Sequence, residues 1–222
     1  MLECCSIGDK QKVIIRSYEH SSVLVFVLDL SFVKSCLNAV SRRKEAVAIL
    51  NLLFFGCVFL VAVIAQFVFP PALFSGWSPA VPEVLLGSGL IFMVVGIFLF
   101  NLAFSAFVFV TLPGFAFFPL SVGFLLFRAV LWGLLLYAVP SWLFLFLLPT
   151  VVLEGEAYVF AGVAGAVVGV SWIKPNMLYR EEGLSKVEAF RKALMECLRL
   201  YVFVVFFLFI AAVVETASLM VI

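Results

Sequence analysis

Two carboxylates stand inside an otherwise uncharged run. The segment Leu148-Pro149-Thr150-Val151-Val152-Leu153-Glu154-Gly155-Glu156-Ala157 lies within a stretch from Ser141 to Trp172 that carries no other charge. An ionisable group at membrane depth costs about 2.5 kcal/mol or more, so such residues pair, line a polar path or do chemistry. Asn101, Arg128 and Glu215 stand in comparable apolar runs. Two glutamates could serve as acid and base, but an intramembrane di-glutamate protease would want histidines or further metal ligands beside them. His20 is the only histidine, and the chain holds no H-E-x-x-H, no Cys/His cluster and no nucleotide-binding glycine loop. The expectation is no catalytic residue, no metal and no cofactor.

The elements that must position these residues follow from composition. Of 222 residues, 66% are hydrophobic and 12% charged, with 27 Phe. Mean hydropathy is +1.27. A soluble domain has about 45–50% apolar and about 25% charged residues, so this is an integral membrane protein, and its length counts spans of about 20 residues. All Lys and Arg except Arg128 fall in two blocks, Lys10 to Lys44 and Lys174 to Arg199. The positive-inside rule puts both in the cytoplasm. Their comparable acidic charge and their place beside spans suit a membrane surface better than nucleic acid, so the lipid bilayer is the expected partner and no nucleic acid is. Five Cys at no ligand spacing predict no disulfide framework. Cys4 and Cys5 are a possible lipidation site, set against chance proximity, and no cleavable signal peptide is apparent.

The predicted fold is all-α, a polytopic bundle of about five transmembrane helices. A cytoplasmic segment 1–45 contains an interfacial amphipathic helix over Val23 to Leu37, interrupted by Asp29 and Lys34. The bundle follows over 46–222, with spans at about 46–69, 89–110, 117–139, 149–172 and 198–214. Pro70-Pro71 ends the first, Thr111-Leu112-Pro113-Gly114 breaks the second, and Pro140-Ser141 closes the third. From Trp142 to Trp172 one helix would measure about 46 Å against a hydrocarbon core of about 30 Å. Pro149 supplies a break, with a short or re-entrant element over 142–148. Ser185-Lys186-Val187-Glu188 has the spacing of a capping box, opening a helix that runs into the last span. Parity leaves the N-terminus in the cytoplasm and the C-terminus outside the cell membrane.

Depth then groups the polar residues. With the fourth helix starting near Pro149, Glu154 lies about 8 Å from its outer end, near the level of Glu215, and Arg128 lies about 15 Å down, within reach of an ion pair with Glu154. Glu154, Ala157, Ala161, Gly165 and Gly169 share one face at steps of three or four, and such small residues let helices approach closely. Glu156 is about 200° away and points toward lipid or water.

The Leu148-to-Ala157 run resembles the L-P-H-G-x-x-E-x-x-A segment of the stage II sporulation protein M-like family. Phe100-Asn101-Leu102 looks like that family's asparagine in its second span, and Ala211-Ala212-Val213-Val214-Glu215 like its A-A-x-x-E near the C-terminus. Thr150 and Val151 stand where His and Gly are usual, and Glu156 where a small or apolar residue is. The resemblance implies a membrane scaffold acting with envelope partners, not a hydrolase.

Two functions are therefore expected to compete. One is a non-enzymatic scaffold or assembly component of an envelope complex, a homo-oligomer or a partner of other membrane or envelope proteins, joined through the small-residue face. The other is a transporter or channel subunit in which Glu154 and Glu215 line a path and Arg128 is the counter-charge.

Overall fold

A computed structural model describes residues 31–70, 89–180 and 182–221. The lipidation reading of Cys4 and Cys5, the position of His20, the first part of the interfacial helix and the connection 71–88 lie outside the described residues. Among the described residues the chain is all-α, and five helices are long and apolar enough to cross a membrane. It is a multi-pass membrane protein.

Residues 31–42 form α1, with Phe32, Val33 and Leu37 exposed and Cys36 and Ala39 buried. The chain turns at Arg43 into α2, Lys44–Val68, which buries Leu50, Phe54, Val58 and Ala65 at helical spacing. Next comes α3, Leu90–Ala116. Contrary to the expected break at Thr111-Leu112-Pro113-Gly114, the helix passes through it. Residues Asn101–Thr111 are π-helical, and Leu112–Ala116 resume α-helical form with Pro113 in their first turn. A missing N–H is tolerated at that position. The chain leaves the helix only at Phe117, whose φ of −152° and ψ of 111° are extended. Then α4 covers Phe118–Ala138, with Pro119 in its first turn.

The break expected at Pro149 is also absent. A single helix, α5, covers Ser141–Ile173, so 142–148 forms its first two turns and is not a separate re-entrant element. Proline removes one helical bond, but neighbouring helices and side chains can satisfy the freed carbonyl. At 33 residues α5 is about 50 Å long, so it tilts or extends beyond a core of about 30 Å. After the single turn α6, Pro175–Leu178, the chain enters α7, Lys186–Val221. The capping box forms as its spacing predicts: the Ser185 N–H donates to Glu188 Oε2 at 3.0 Å, and the Glu188 N–H to Ser185 Oγ at 3.4 Å.

Half of the most apolar window of α5 is buried, against a third or less for every other span, so α5 is the centre of the bundle. It runs antiparallel to α7. Phe160 stacks on Phe203 and Phe207 at 5.3 and 5.9 Å, and Ser218 Oγ donates to the Phe146 carbonyl at 3.2 Å. On its other sides α5 packs against α2, α3 and α4.

The small-residue face meets these neighbours within one chain. Ala157 and Ala161 are fully buried. A Cβ on Gly165 would lie 2.7 Å from both Ser121 Oγ and the Thr111 carbonyl oxygen, and one on Gly169 would collide with the Gly114 carbonyl oxygen. The expectation that this face joins separate chains is thereby corrected: α3 and α4 already occupy it. Gly165→Leu or Gly169→Leu should lower thermal stability in detergent by more than the about 1–3 kcal/mol typical of overpacking, because backbone blocks the new side chain. Gly123→Leu, where a Cβ meets nothing within 4 Å, should leave stability near wild type in the same unfolding assay.

Candidate functional site

Four helices bring polar side chains to one place, and α5 supplies its centre. Glu154 is 3% exposed. Because α5 begins at Ser141, Glu154 lies about 20 Å along it, deeper than the 8 Å expected for a helix starting at Pro149. Hydrocarbon offers no hydrogen bonds, so neighbouring side chains must satisfy this carboxylate.

Asn101 of α3 donates from Nδ2 to Glu154 Oε1 at 2.7 Å. Tyr158, one turn along α5, donates its hydroxyl to Glu154 Oε2 at 3.0 Å and lies 3.2 Å from Asn101 Oδ1. Ser105 Oγ donates to the same Asn101 oxygen at 3.2 Å. From α4, Arg128 Nη2 donates to the Tyr158 hydroxyl at 2.9 Å and lies 3.9 Å from Glu154 Oε2. Its guanidinium carbon sits 4.7 Å from the Tyr158 ring centroid, a cation–π arrangement. The expected approach of Arg128 to Glu154 is thus found, with the tyrosine between them as a hub. Glu215 of α7 is half-buried, with Oε2 fully enclosed and without a hydrogen-bond partner, and it interacts electrostatically with both Glu154 and Arg128.

The π segment of α3 spans the distance from this junction to the packing face below it. Bonds from i to i+5 widen the turn, and the buried face of this segment is broad: Asn101, Ser105, Ala106, Val110 and Thr111 are all buried. Thr111 Oγ1 donates to the Ala161 carbonyl at 3.0 Å and accepts from the Tyr201 hydroxyl at 2.7 Å. Ser121 Oγ of α4 donates to the Gly162 carbonyl at 3.0 Å. These contacts reach the α5 backbone because Ala161, Gly162 and Gly165 present so little side chain.

Glu156 belongs elsewhere. It points away from Glu154 as its helical angle predicts, but to a partner and not to lipid or water: Asn51 Nδ2 of α2 donates to its Oε2 at 3.3 Å. Among the described residues no three His, Cys, Asp or Glu side chains are grouped as a metal would require.

A second polar group, unforeseen from the sequence, lies at the end of the bundle where the basic blocks gather. Arg43 holds Glu196 with two bonds, Nε to Oε1 at 2.8 Å and Nη2 to Oε2 at 3.0 Å. Tyr179 donates to Glu196 Oε2 at 3.0 Å. Burial first, and then the adjacent Glu196 carboxylate, push the Tyr179 phenol above its usual range. Lys192 pairs with Glu182 and lies 4.8 Å from the Tyr179 ring centroid. Residues 43 and 196 are too far apart in sequence for any local pattern to link them. Tyr158 did carry a signal, its position one helical turn from Glu154.

Tyr158→Phe keeps the ring but removes the hydroxyl that joins Arg128, Glu154 and Asn101. It should cost about 1–3 kcal/mol in detergent unfolding, the penalty for stranding buried polar groups. Arg43→Leu should cost about 3–5 kcal/mol by leaving Glu196 unpaired, and Arg43→Leu with Glu196→Leu should recover much of the loss. In comparisons with known proteins, no family, no curated protein and no solved structure matches this chain.

Proposed function

We propose that the chain is a non-enzymatic integral membrane protein acting as a scaffold or assembly component of an envelope complex. The observation that carries this reading is the closed polar junction. Both Glu154 oxygens have partners within the protein, and the side chain is 3% exposed. A group held this way ties helices together and presents little surface to a passing solute. The similarity of the Glu154, Asn101 and Glu215 segments to stage II sporulation protein M supports the same role. With the basic blocks in the cytoplasm, the N-terminus is cytoplasmic and the C-terminus lies outside the cell.

Since the small-residue face is closed within the chain, assembly uses lipid-facing surfaces. Phe59 and Phe67 of α2, Ile91 and Phe104 of α3, and Phe206 of α7 are all more than half exposed. Partners are a second copy or another membrane protein.

The competing reading is transport through Glu154 and Glu215 with Arg128 as counter-charge. It draws on the enclosed Glu215 oxygen that has no partner. Liposome reconstitution separates the two. Wild-type protein should show no proton, Na⁺ or K⁺ flux above empty vesicles, and cysteines placed at Phe104 or Phe206 should give discrete crosslinked species in native membranes. A flux that Glu154→Gln abolishes while the fold is retained would overturn the scaffold reading.

A further inference from the structure

The helices of the junction carry enclosed polar atoms without partners. Thr150 Oγ1, Thr216 Oγ1, Glu215 Oε2, Arg128 Nε and Trp132 Nε1 are all enclosed without a hydrogen-bond partner. Thr150 and Thr216 are each 1% exposed. Thr150 precedes Glu154 by one turn, on the same face of α5. Thr216 lies on the buried face of α7, in series with Leu208 and Ala212. In an antiparallel pair each step along one helix matches a step back along the other. The contact of Ser218 with Phe146 therefore sets Val214 level with Thr150, and Glu215 and Thr216 within half a turn of it.

Charge adds a second, independent observation. Arg128 on α4 lies 3.9 Å from Glu154 on α5, and Glu215 on α7 interacts electrostatically with both. The remaining groups are neutral: Asn101 and Ser105 from α3, and Tyr158 from α5. The charges of α2, Lys44 and Glu45, lie in its first turn, and Glu156 faces Asn51. Ionised throughout, the junction would hold one uncompensated negative charge at membrane depth, and a buried charge is retained only when paired.

We propose that Glu154 and Glu215, with the Thr150 and Thr216 hydroxyls nearby, form a binding site for one positive charge, either a proton carried by one of the carboxylates or an alkali cation held at the unpartnered oxygens. The unpartnered oxygens are the right donors for a hard monovalent cation, and a protonated carboxyl would supply the hydrogen that a hydroxyl oxygen lacks. The site follows from charge balance and holds whether the protein assembles or transports.

Infrared spectroscopy of the full chain in lipid nanodiscs, on a Glu156→Gln background, tests it through the carboxylic-acid C=O stretch. At neutral pH in buffer free of alkali cations, one protonated carboxyl per chain is expected. Glu215→Gln and Glu154→Gln should each abolish the band, since either leaves one acid opposite Arg128. Arg128→Gln should double it. Glu215→Gln is nearly isosteric at a half-buried position, so the test stands even where the deeper variants fail to fold. If NaCl or KCl removes the wild-type band, the occupant is an alkali cation; if the band persists in salt, it is a proton. No band in alkali-free buffer, or a band undiminished in Glu215→Gln, would overturn the proposal.

Discussion

A carboxylate that reaches neither water nor lipid headgroups must find every partner among the helices around it, and Glu154 sets that constraint for this bundle. Its oxygens need donors within hydrogen-bond distance, so α3 and α4 have to lie close to α5. The small residues of α5 make that approach possible. Ala157, Ala161, Gly165 and Gly169 leave room for Thr111 and Ser121 to reach the backbone carbonyls of Ala161 and Gly162. The buried charge and the small-residue stripe are therefore parts of one arrangement: the stripe brings the helices near, and the polar junction fixes their register.

α3 meets α5 at both ends of its π segment. Asn101 and Thr111, at the two ends of the π segment, are both buried. The π segment brings both onto α5, one to the Glu154 carboxylate and the other to the Ala161 carbonyl. π-helical turns are less common than α-helical ones and recur at functional sites.

What the sequence disclosed was set by local information. Apolar runs located five spans, the capping box at Ser185 and Glu188 located the start of α7, and isolated polar residues located Glu154, Arg128 and Asn101. Prolines misled, because a break at Pro113 or Pro149 depends on whether neighbours tolerate a lost hydrogen bond, and neighbours are a tertiary fact. The stripe misled in a similar way. Spacing shows which face of a helix is small, but not whether the helix that fills it belongs to the same chain. The Arg43 and Glu196 pair had no local trace at all, since its members come from opposite ends of the chain.

The two polar groups differ in charge balance, and the difference bears on what each can do. At the basic end, one guanidinium meets one carboxylate in a two-bond geometry, and Tyr179 supplies a further donor to the same oxygen that accepts from Arg43. Acid and base are matched there, so the group acts as a clasp between the start of α2 and α7. At the Glu154 junction two acids accompany one base, and three enclosed oxygens, on Thr150, Glu215 and Thr216, lack partners. A clasp gains nothing from surplus charge or unsatisfied oxygens; in hydrocarbon both are destabilising. Retaining both beside a well-bonded core makes sense when something else completes the set, and the sign of the surplus requires that it be positive.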